Sequence, residues 1–461
     1  MRLYLINPFN PYVCTTNTQK RYWSRYRVWK PLGLIVLANL TPQEWDITLI
    51  DENLHLTSYN DMPRPNLVGI TAFSSQAVRA YELAAEFRKD NVPVVIGGIH
   101  ATMRLEEALE HADAVVTGEA ENVWRQVLKD ASEGKLKRVY KGERLELNTP
   151  PHIRRNLVPP DYPFGSIQTA RGCPLNCSFC SVTVFNGRRI RHRPIENVLM
   201  EIRSLREKYF LFVDDNLIGT RHDHIVRTKK LLRTMIKEKL SKNWGAQVTI
   251  NMADDEELLD LSAKAGCVAV FIGFESPSEE GLIEVNKKFN IQKNRDFKAS
   301  VKRIHDHNIL VIGSFIIGLD VDRKGIGRLI ADTASYYGLD ALNVLFLTPL
   351  PGTTLWKKMK TQDRILANSF PNDWQYYTFG FPVAKHTHLP WPDMIREYET
   401  CRQTFYSHKR VFNRVFTNLI NMRRPLLTLV GNLALKGSYQ RIEDCRMYLD
   451  LKKPQDEIIK V

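Results

Sequence analysis

Three cysteines fall within eight residues, Cys173-Pro-Leu-Asn-Cys177-Ser-Phe-Cys180. This C-x3-C-x2-C spacing offers three thiolates to one small inorganic site, and iron–sulfur clusters are held by cysteine thiolates, normally four of them. Three protein ligands on a four-iron cluster leave one iron open, and an open position separates a reactive metal site from a closed structural one. Two plainer readings compete, a zinc site and three unrelated thiols. Zinc takes four protein ligands, usually in spaced pairs, so a fourth would have to come from a distant Cys or His.

The other residues that could do chemistry sit where apolar runs end. Asp214, Asp215 and Asn216 follow Phe210 to Val213, and Glu275 and Ser276 follow the run that starts at Val268. Gly313 and Ser314 fall inside Ile309 to Ile317. Nearer the amino terminus the same position is taken by Asp51-Glu52-Asn53, Ser74-Ser75, Gly97-Gly98-Ile99-His100 and Thr117-Gly118-Glu119. A single Asp or Ser after a strand is usually a helix cap. Recurrence at one run end after another points instead to a binding edge.

The elements that must position these residues are alternating strands and helices. In residues 1–147, apolar runs at Leu3 to Ile6, Ile47 to Ile50, Leu67 to Ala72, Val92 to Ile96 and Ala114 to Val116 read as strands. Helix-period segments such as Gln76 to Arg88 and Leu105 to Ala112 separate them, and this alternation predicts a Rossmann-like parallel sheet. Ligands of such sheets bind beyond the carboxyl ends of the strands. Residues 148–163 are proline-rich and read as a linker. Residues 164–353 resume the alternation, with strands at Ser166 to Ala170, Phe210 to Val213, Trp244 to Ile250, Val268 to Gly273, Ile309 to Ile317 and Leu342 to Leu347. These six units predict a (βα)6 partial barrel whose chemistry lies at the carboxyl ends of its strands. Residues 354–461 read as a mostly helical region that closes over a substrate. The fold class is therefore α/β with a helical carboxyl-terminal segment.

The cysteine spacing, with the aromatic Phe179 before the last cysteine, resembles the signature of the radical SAM superfamily. That resemblance implies a 4Fe-4S cluster on Cys173, Cys177 and Cys180, with S-adenosylmethionine (SAM) chelating the open iron and yielding a 5′-deoxyadenosyl radical. It also implies SAM contacts from Phe179, from Asp214, Asp215 and Asn216 at the amino end, from Glu275 and Ser276 at the ribose or carboxylate, and from Ser314 near adenine. Residues 1–147 are similar to the cobalamin-binding domain that precedes the barrel in a large group of these enzymes. The resemblance implies that Ser74, Ser75, Gly97, Gly98, Gly118 and Glu119 line the corrinoid. One departure is visible: no Asp-x-His-x-x-Gly loop occurs, and His55 lies four residues after Asp51 without the glycine. Histidine ligation of cobalt is accordingly expected to be absent.

The reaction implied is methylation of an unactivated carbon in a small-molecule or lipid-like substrate, with an electron donor such as flavodoxin or ferredoxin. Ring-forming and oxidative members of the group are the alternative. A tRNA-modifying methylthiotransferase would carry three further upstream cysteines, and only Cys14 lies upstream here, so nucleic acid is not the expected partner.

Composition bounds the rest. At 461 residues and 43% hydrophobic content the chain can bury two or three cores. Seven cysteines, three of them clustered, argue against a disulfide framework and for the reducing cytoplasm. The opening Met1-Arg-Leu-Tyr-Leu-Ile-Asn-Pro reads as a strand rather than a signal. The apolar stretch Pro425 to Leu435 is far short of the ~20 residues that span a bilayer, so no transmembrane helix is expected. The net charge is +14, and residues 401–461 hold 12 Lys/Arg against 5 Asp/Glu, a +7 share. With Phe405, Phe412, Phe416 and the Leu426 to Leu435 run, that tail reads either as a lid with a basic outer face or as a peripheral membrane contact. Lys20, Arg21, Arg25, Arg27 and Lys30, interleaved with Tyr22, Trp23, Tyr26 and Trp29, fit RNA, an anionic ligand, a membrane surface or a plain solvated face.

Overall fold

A computed structural model describes residues 1–10, 30–55, 57–148, 157–421 and 423–448. Cys14, the basic aromatic stretch from Lys20 to Trp29 and residues 149–156 of the proline-rich linker lie outside the described residues. The chain forms two compact units. One comprises Met1–Pro163, Leu350–Gly352 and Ala367–Thr378; the other comprises Phe164–Pro349, Thr353–Leu366 and Phe379–Val461.

The first unit holds a six-stranded parallel sheet of β1 (Arg2–Asn7), β2 (Asp46–Asp51), β3 (Leu67–Thr71), β4 (Val94–Gly97), β5 (Ala114–Thr117) and β6 (Val139–Lys141), in the order β2-β1-β3-β4-β5-β6. Five helices connect them: α1 (Leu32–Leu40), α2 (Ala77–Lys89), α3 (Gly98–Met103), α4 (Leu105–His111) and α5 (Trp124–Ser132). Strand order reverses between β1 and β3, the switch point beside which such sheets bind ligands. Leu3 to Ile6 of β1 are all buried, as an unbroken apolar run in a doubly covered parallel sheet requires. The three-residue β6, Val-Tyr-Lys, is too short and too polar to register as a strand from its pattern alone.

The second unit is built on an open, all-parallel sheet of β7 (Gly165–Ile167), β10 (Tyr209–Phe212), β11 (Asn243–Val248), β12 (Cys267–Glu275), β13 (Leu310–Ile317) and β14 (Ala341–Phe346), in the order β14-β13-β12-β11-β10-β7. The single strand expected over Ser166 to Ala170 is split. After β7 the chain leaves the sheet, and β8 (Ala170–Arg171) pairs antiparallel with β9 (Arg191–His192), closing the base of the cysteine loop. Gly313 does not interrupt β13. It is glycine because a Cβ there would meet Leu339 Cδ1 at 2.3 Å. The helices are α6 (Val182–Phe185), α7 (Ile195–Ser204), α8 (His222–Lys237), α9 (Glu256–Lys264), α10 (Glu279–Glu284), α11 (Phe297–Asp306), α12 (Ile326–Tyr337), α13 (Thr354–Thr361), α14 (Trp391–Phe405), α15 (His408–Ile420) and α16 (Pro425–Tyr448). One continuous core joins them, with Phe210, Phe212 and Trp244 packed edge to face on the first strands. Among the described residues no helix is long and apolar enough to cross a membrane.

Candidate active site

The cysteine loop is an excursion between β8 and β9, and three separate segments hold it. At its root, both oxygens of Asp214 accept from Thr169 N at 3.0 and 3.1 Å, and one also accepts from Thr169 Oγ1 and Ala170 N. Oδ2 of Asp215 accepts from Gly172 N at 3.2 Å and Asn186 Nδ2 at 3.0 Å, bridging the two limbs of the loop. Gly172, at φ +104°, must be glycine because a Cβ would meet Arg189 O at 2.3 Å. At the tip, Ser178 N donates to Val285 O, Ser178 O accepts from Leu355 N, and Asn176 O accepts from Asn286 Nδ2 at 2.7 Å.

The three thiols are free. Burial raises the Cys173 thiol and pushes those of Cys177 and Cys180 up to about 11, with a further push from neighbouring acidic groups, so none ionises readily at neutral pH without a metal. A cation faces them. Lys287 lies in the segment after α10, and its Nζ donates to Glu275 Oε1 at 2.9 Å with both side chains 9% exposed. Burial alone would lower this ammonium, but Glu275 and the thiols of Cys177 and Cys173 overcome that and hold it above the usual lysine range. Glu275 itself sits at φ +67° at the end of β12. Gly273 makes room for the pair, because a Cβ there would come 2.1 Å from Glu275 Oε1 and 3.1 Å from Lys287 Nζ.

Among the described residues no three His, Cys, Asp or Glu side chains converge tightly enough to hold a single metal ion. Three thiols on one clamped loop, with a buried cation to offset their negative charge once metallated, fit a cluster with one iron left open.

The other residues expected at SAM sit on the same strand ends, differently engaged. Asp214 is committed to the loop, and burial pushes its carboxyl up to about 6. Asp215 keeps Oδ1 without a hydrogen-bond partner among the described residues. Asn216 is turned inward, donating to Thr249 Oγ1 and accepting from Gly219 N. Ser276 accepts from Ser278 N at 3.2 Å. Ser314 pairs in register with Asn343 and accepts from its Nδ2 at 3.2 Å. Phe179 is half-buried on the loop between Ser178 and Cys180. Sequence reasoning missed Lys287, Asn286, Asn186 and Thr169, which lie 12 to 110 residues from the groups they serve, and no local spacing marks them.

In the first unit, the strand-end residues separate into two kinds. Gly98 and Gly118 are fixed by the fold. At φ +92° a Cβ on Gly98 would meet Thr71 Oγ1 at 2.6 Å, and at φ +71° one on Gly118 would meet Gly142 O at 2.3 Å. Gly97 is different, because a Cβ there meets nothing closer than 3.6 Å. Its missing side chain leaves bare backbone at the end of β4, and Phe73 beyond β3 is 57% exposed. A side-chain-free strand end beside an exposed aromatic fits a large flat ligand. Glu119 is buried and accepts from Leu145 N at 3.1 Å, and Ser75 is buried beside Ser74.

Ser74 reaches His100, which the Gly-Gly turn carries inward rather than toward a ligand. His100 Nδ1 lies 3.1 Å from Ser74 Oγ, while Nε2 lies 3.0 Å from Tyr81 Oη and 3.2 Å from Glu107 Oε1. Burial lowers the His100 pKa. Burial would raise the Glu107 carboxyl, but His100 and Arg104 bring it down to about 2. Trp374 Nε1 also donates to Glu107 Oε1, at 2.8 Å. His55 instead pairs with Asp161 at 3.4 Å, half exposed.

Comparison with known proteins bears on both units. Residues 167–330 match the radical SAM superfamily, residues 24–128 the B12 binding domain, and residues 353–436 a domain of unknown function, DUF4070. The chain is similar to the bacteriochlorophyllide d C-12(1)-methyltransferase of Chlorobaculum tepidum, 32% identical over 404 residues that cover 84% of each protein. It is also similar to the anaerobic magnesium-protoporphyrin IX monomethyl ester cyclase of Rubrivivax gelatinosus, 25% identical over 82% of this chain and 72% of that one. Among solved structures it shares its fold with the radical S-adenosylmethionine methyltransferase TsrM from Kitasatospora setae, solved with cobalamin and a 4Fe-4S cluster. The TM-score is 0.69 at 17% identity, over 97% of this chain and 99% of that one.

Proposed function

We propose methyl transfer to an unactivated carbon as the reaction of this chain, which belongs to the family of radical SAM enzymes with a cobalamin-binding domain. It is an enzyme whose cofactors are a 4Fe-4S cluster, SAM and cobalamin. When bound, the cluster and SAM supply a radical that abstracts hydrogen, and the corrinoid supplies the methyl group.

The chain's own residues bind and orient. Cys173, Cys177 and Cys180 hold the cluster and leave one iron to SAM. Asp215, with one oxygen uncommitted, takes the SAM amino group, and Asp214 contributes through the loop it fixes. Glu275 and Ser276 serve the ribose or carboxylate, Phe179 and Ser314 flank the rest of SAM, and Asn216 shapes the turn beside Asp215. In the first unit the bare backbone at Gly97 would leave room for the corrinoid, and Ser74, Ser75, Gly98, Gly118 and Glu119 would form the turns around it.

The substrate in this reading is a large, mostly apolar small molecule. What supports it is the likeness, over 84% of both proteins, to a methyltransferase named for a bacteriochlorophyllide. A one-electron donor of the flavodoxin or ferredoxin kind reduces the cluster, the enzyme works in the cytoplasm where its thiols stay reduced, and it touches a membrane peripherally.

The test uses anaerobically reconstituted protein, SAM deuterated in its methyl group, and an apolar extract of cells lacking the enzyme. Deuterated methyl in an extracted product, with 5′-deoxyadenosine formed alongside, is the expected result. 5′-Deoxyadenosine without label in any product favours the ring-forming or oxidative chemistry instead. The Cys173→Ala, Cys177→Ala, Cys180→Ala triple variant should retain almost none of the about four irons per chain, and a full complement of iron there would overturn the whole assignment.

A further inference from the structure

The last two described helices are folded inside out. On α15, Phe412, Phe416, Leu419 and Ile420 recur at the i, i+4, i+7, i+8 spacing of a single helix face. That face points to solvent, the four side chains being 66, 50, 57 and 63% exposed. On α16, Leu426, Val430 and Leu433 repeat the pattern at 73, 48 and 57% exposed. The inward faces pack Val411 and Leu435 against the core and otherwise carry a polar network. Asn418 Nδ2 donates to Asp340 Oδ1 at 2.7 Å and to Thr428 Oγ1 at 2.8 Å, Asn432 Nδ2 donates to Asp340 O at 2.8 Å, and Asn432 Oδ1 accepts from Arg414 at 2.8 Å. Arg414 also lies over the Phe405 ring, 3.9 Å from its centroid.

This arrangement has one orientation. The buried hydrogen bonds fix which sides of the two helices face the barrel, so the apolar stripes cannot turn inward without stranding Asp340 and Asn418. Seven large apolar side chains on two adjacent helices, with Phe412 and Phe416 stacked 5.9 Å apart in the open, exceed the scattered apolar exposure ordinary on a monomer surface.

Charge selects the occupant. Residues 408–436 contain no Asp or Glu; of their six cations Arg414 is turned inward and Arg410 is paired with Asp332 of α12, so Lys409, Arg423, Arg424 and Lys436 supply the charge of this face. A second copy docked through this face would set like charges against like across a two-fold axis. An acidic lipid surface offers the opposite, with hydrocarbon for the phenylalanines and leucines and anionic headgroups for the flanking cations. We infer that the outer face of the α15–α16 hairpin seats peripherally in an anionic phospholipid bilayer. This specifies the membrane contact of the proposed function and is independent of its chemistry.

The experiment is co-sedimentation of the full-length holoenzyme with vesicles of phosphatidylcholine alone or with one quarter phosphatidylglycerol, without SAM or substrate. Binding to the acidic vesicles is expected, weakening as salt rises. Phe412→Ser combined with Leu426→Ser should lower the partition coefficient by ~10-fold or more, because each removes an exposed apolar side chain that the bilayer would bury. Leu329→Ser on α12, half exposed in wild type, should leave binding unchanged. Iron content and circular dichroism of each variant show whether it has folded and loaded, so a failed membrane contact is told apart from a failed radical SAM assignment. The inference is overturned if the holoenzyme ignores acidic vesicles, if the double variant binds like wild type, or if light scattering shows a dimer that the double variant abolishes.

Discussion

Replacing Lys287 by methionine tests the electrostatic design of the cluster site. The ammonium lies 2.9 Å from Glu275 Oε1 and both side chains are 9% exposed, so the substitution leaves a carboxylate buried without its partner. Breaking a buried pair from one side costs about 3–5 kcal/mol, whereas removing both charges is far milder. Lys287→Met should therefore destabilise the segment by several kcal/mol. Glu275→Gln should also destabilise it, since it leaves a buried ammonium facing thiols that stay protonated in the apoprotein. The double variant should cost less than Lys287→Met alone, a coupling of about 2–3 kcal/mol in the cycle. Hydrogen exchange of the peptides spanning residues 267–290, in reduced apoprotein, reads this segment without requiring the two units to unfold together. In reconstituted protein the loss of a nearby cation should also lower the reduction potential of the cluster, read by electron paramagnetic resonance during a redox titration. A cost below about 1 kcal/mol for Lys287→Met, or simple additivity in the double variant, would show that the pair is solvated and that the reasoning fails.

Two further outcomes separate structural from binding roles. Gly97→Ala should leave apoprotein stability unchanged but weaken hydroxocobalamin binding, while Gly98→Ala should destabilise the first unit by about 1–3 kcal/mol through its φ of +92° and the contact with Thr71; equal corrinoid titrations for Gly97→Ala and wild type would remove Gly97 from the binding surface. For Asp214 the sign follows from burial. Its folded pKa of about 6 lies above the ordinary 3.8, so the native state prefers the proton and wild type loses stability as pH rises from about 4 to about 6. Because Asp214→Asn lacks this titration, urea unfolding of the two apoproteins should show their stability difference moving against wild type by about 3 kcal/mol across that window and staying flat above it; a pH-independent difference would contradict a buried, ionising Asp214.

The strand ends were legible in sequence because a strand's apolar run stops where its chain meets solvent or ligand, and Asp214, Glu275, Gly97 and Glu119 all occupy such stops. The cysteine loop was legible because all three of its cysteines are local. The rest of the site was not, for a common reason. Lys287 meets Glu275 only because α10 turns the chain back, and Asn186 meets Asp215 only because β8 and β9 close the loop. The sheet's last strand, β6, was hidden by its length of three residues. Residues 367–378, read within a carboxyl-terminal helical region, group with the first unit through Trp374 and Glu107, a pairing of residues 267 positions apart.

The carboxyl-terminal helices mark a different boundary to what a pattern can say. Periodicity identifies a stripe such as Phe412, Phe416, Leu419 and Ile420 and predicts that it lies against something apolar. It does not say whether that something belongs to the same chain. The answer comes from the opposite face, where Arg414 and Asn418 on α15 are matched to Thr428 and Asn432 on α16 and to Asp340 at the head of β14. A buried polar network is demanding about geometry because each unsatisfied member costs about 1–3 kcal/mol. Residues that look like the solvated side of an amphipathic helix are in this protein its mortar, and the apolar side is left to find a partner elsewhere. The same logic applies to Asp214 and Asp215: they read as contacts to the amino end of SAM, yet most of their oxygens are spent on fixing a loop, and only the capacity left over, such as Oδ1 of Asp215, is available for binding. In this chain a polar side chain's function is set by how much of its hydrogen-bonding capacity the fold has already used.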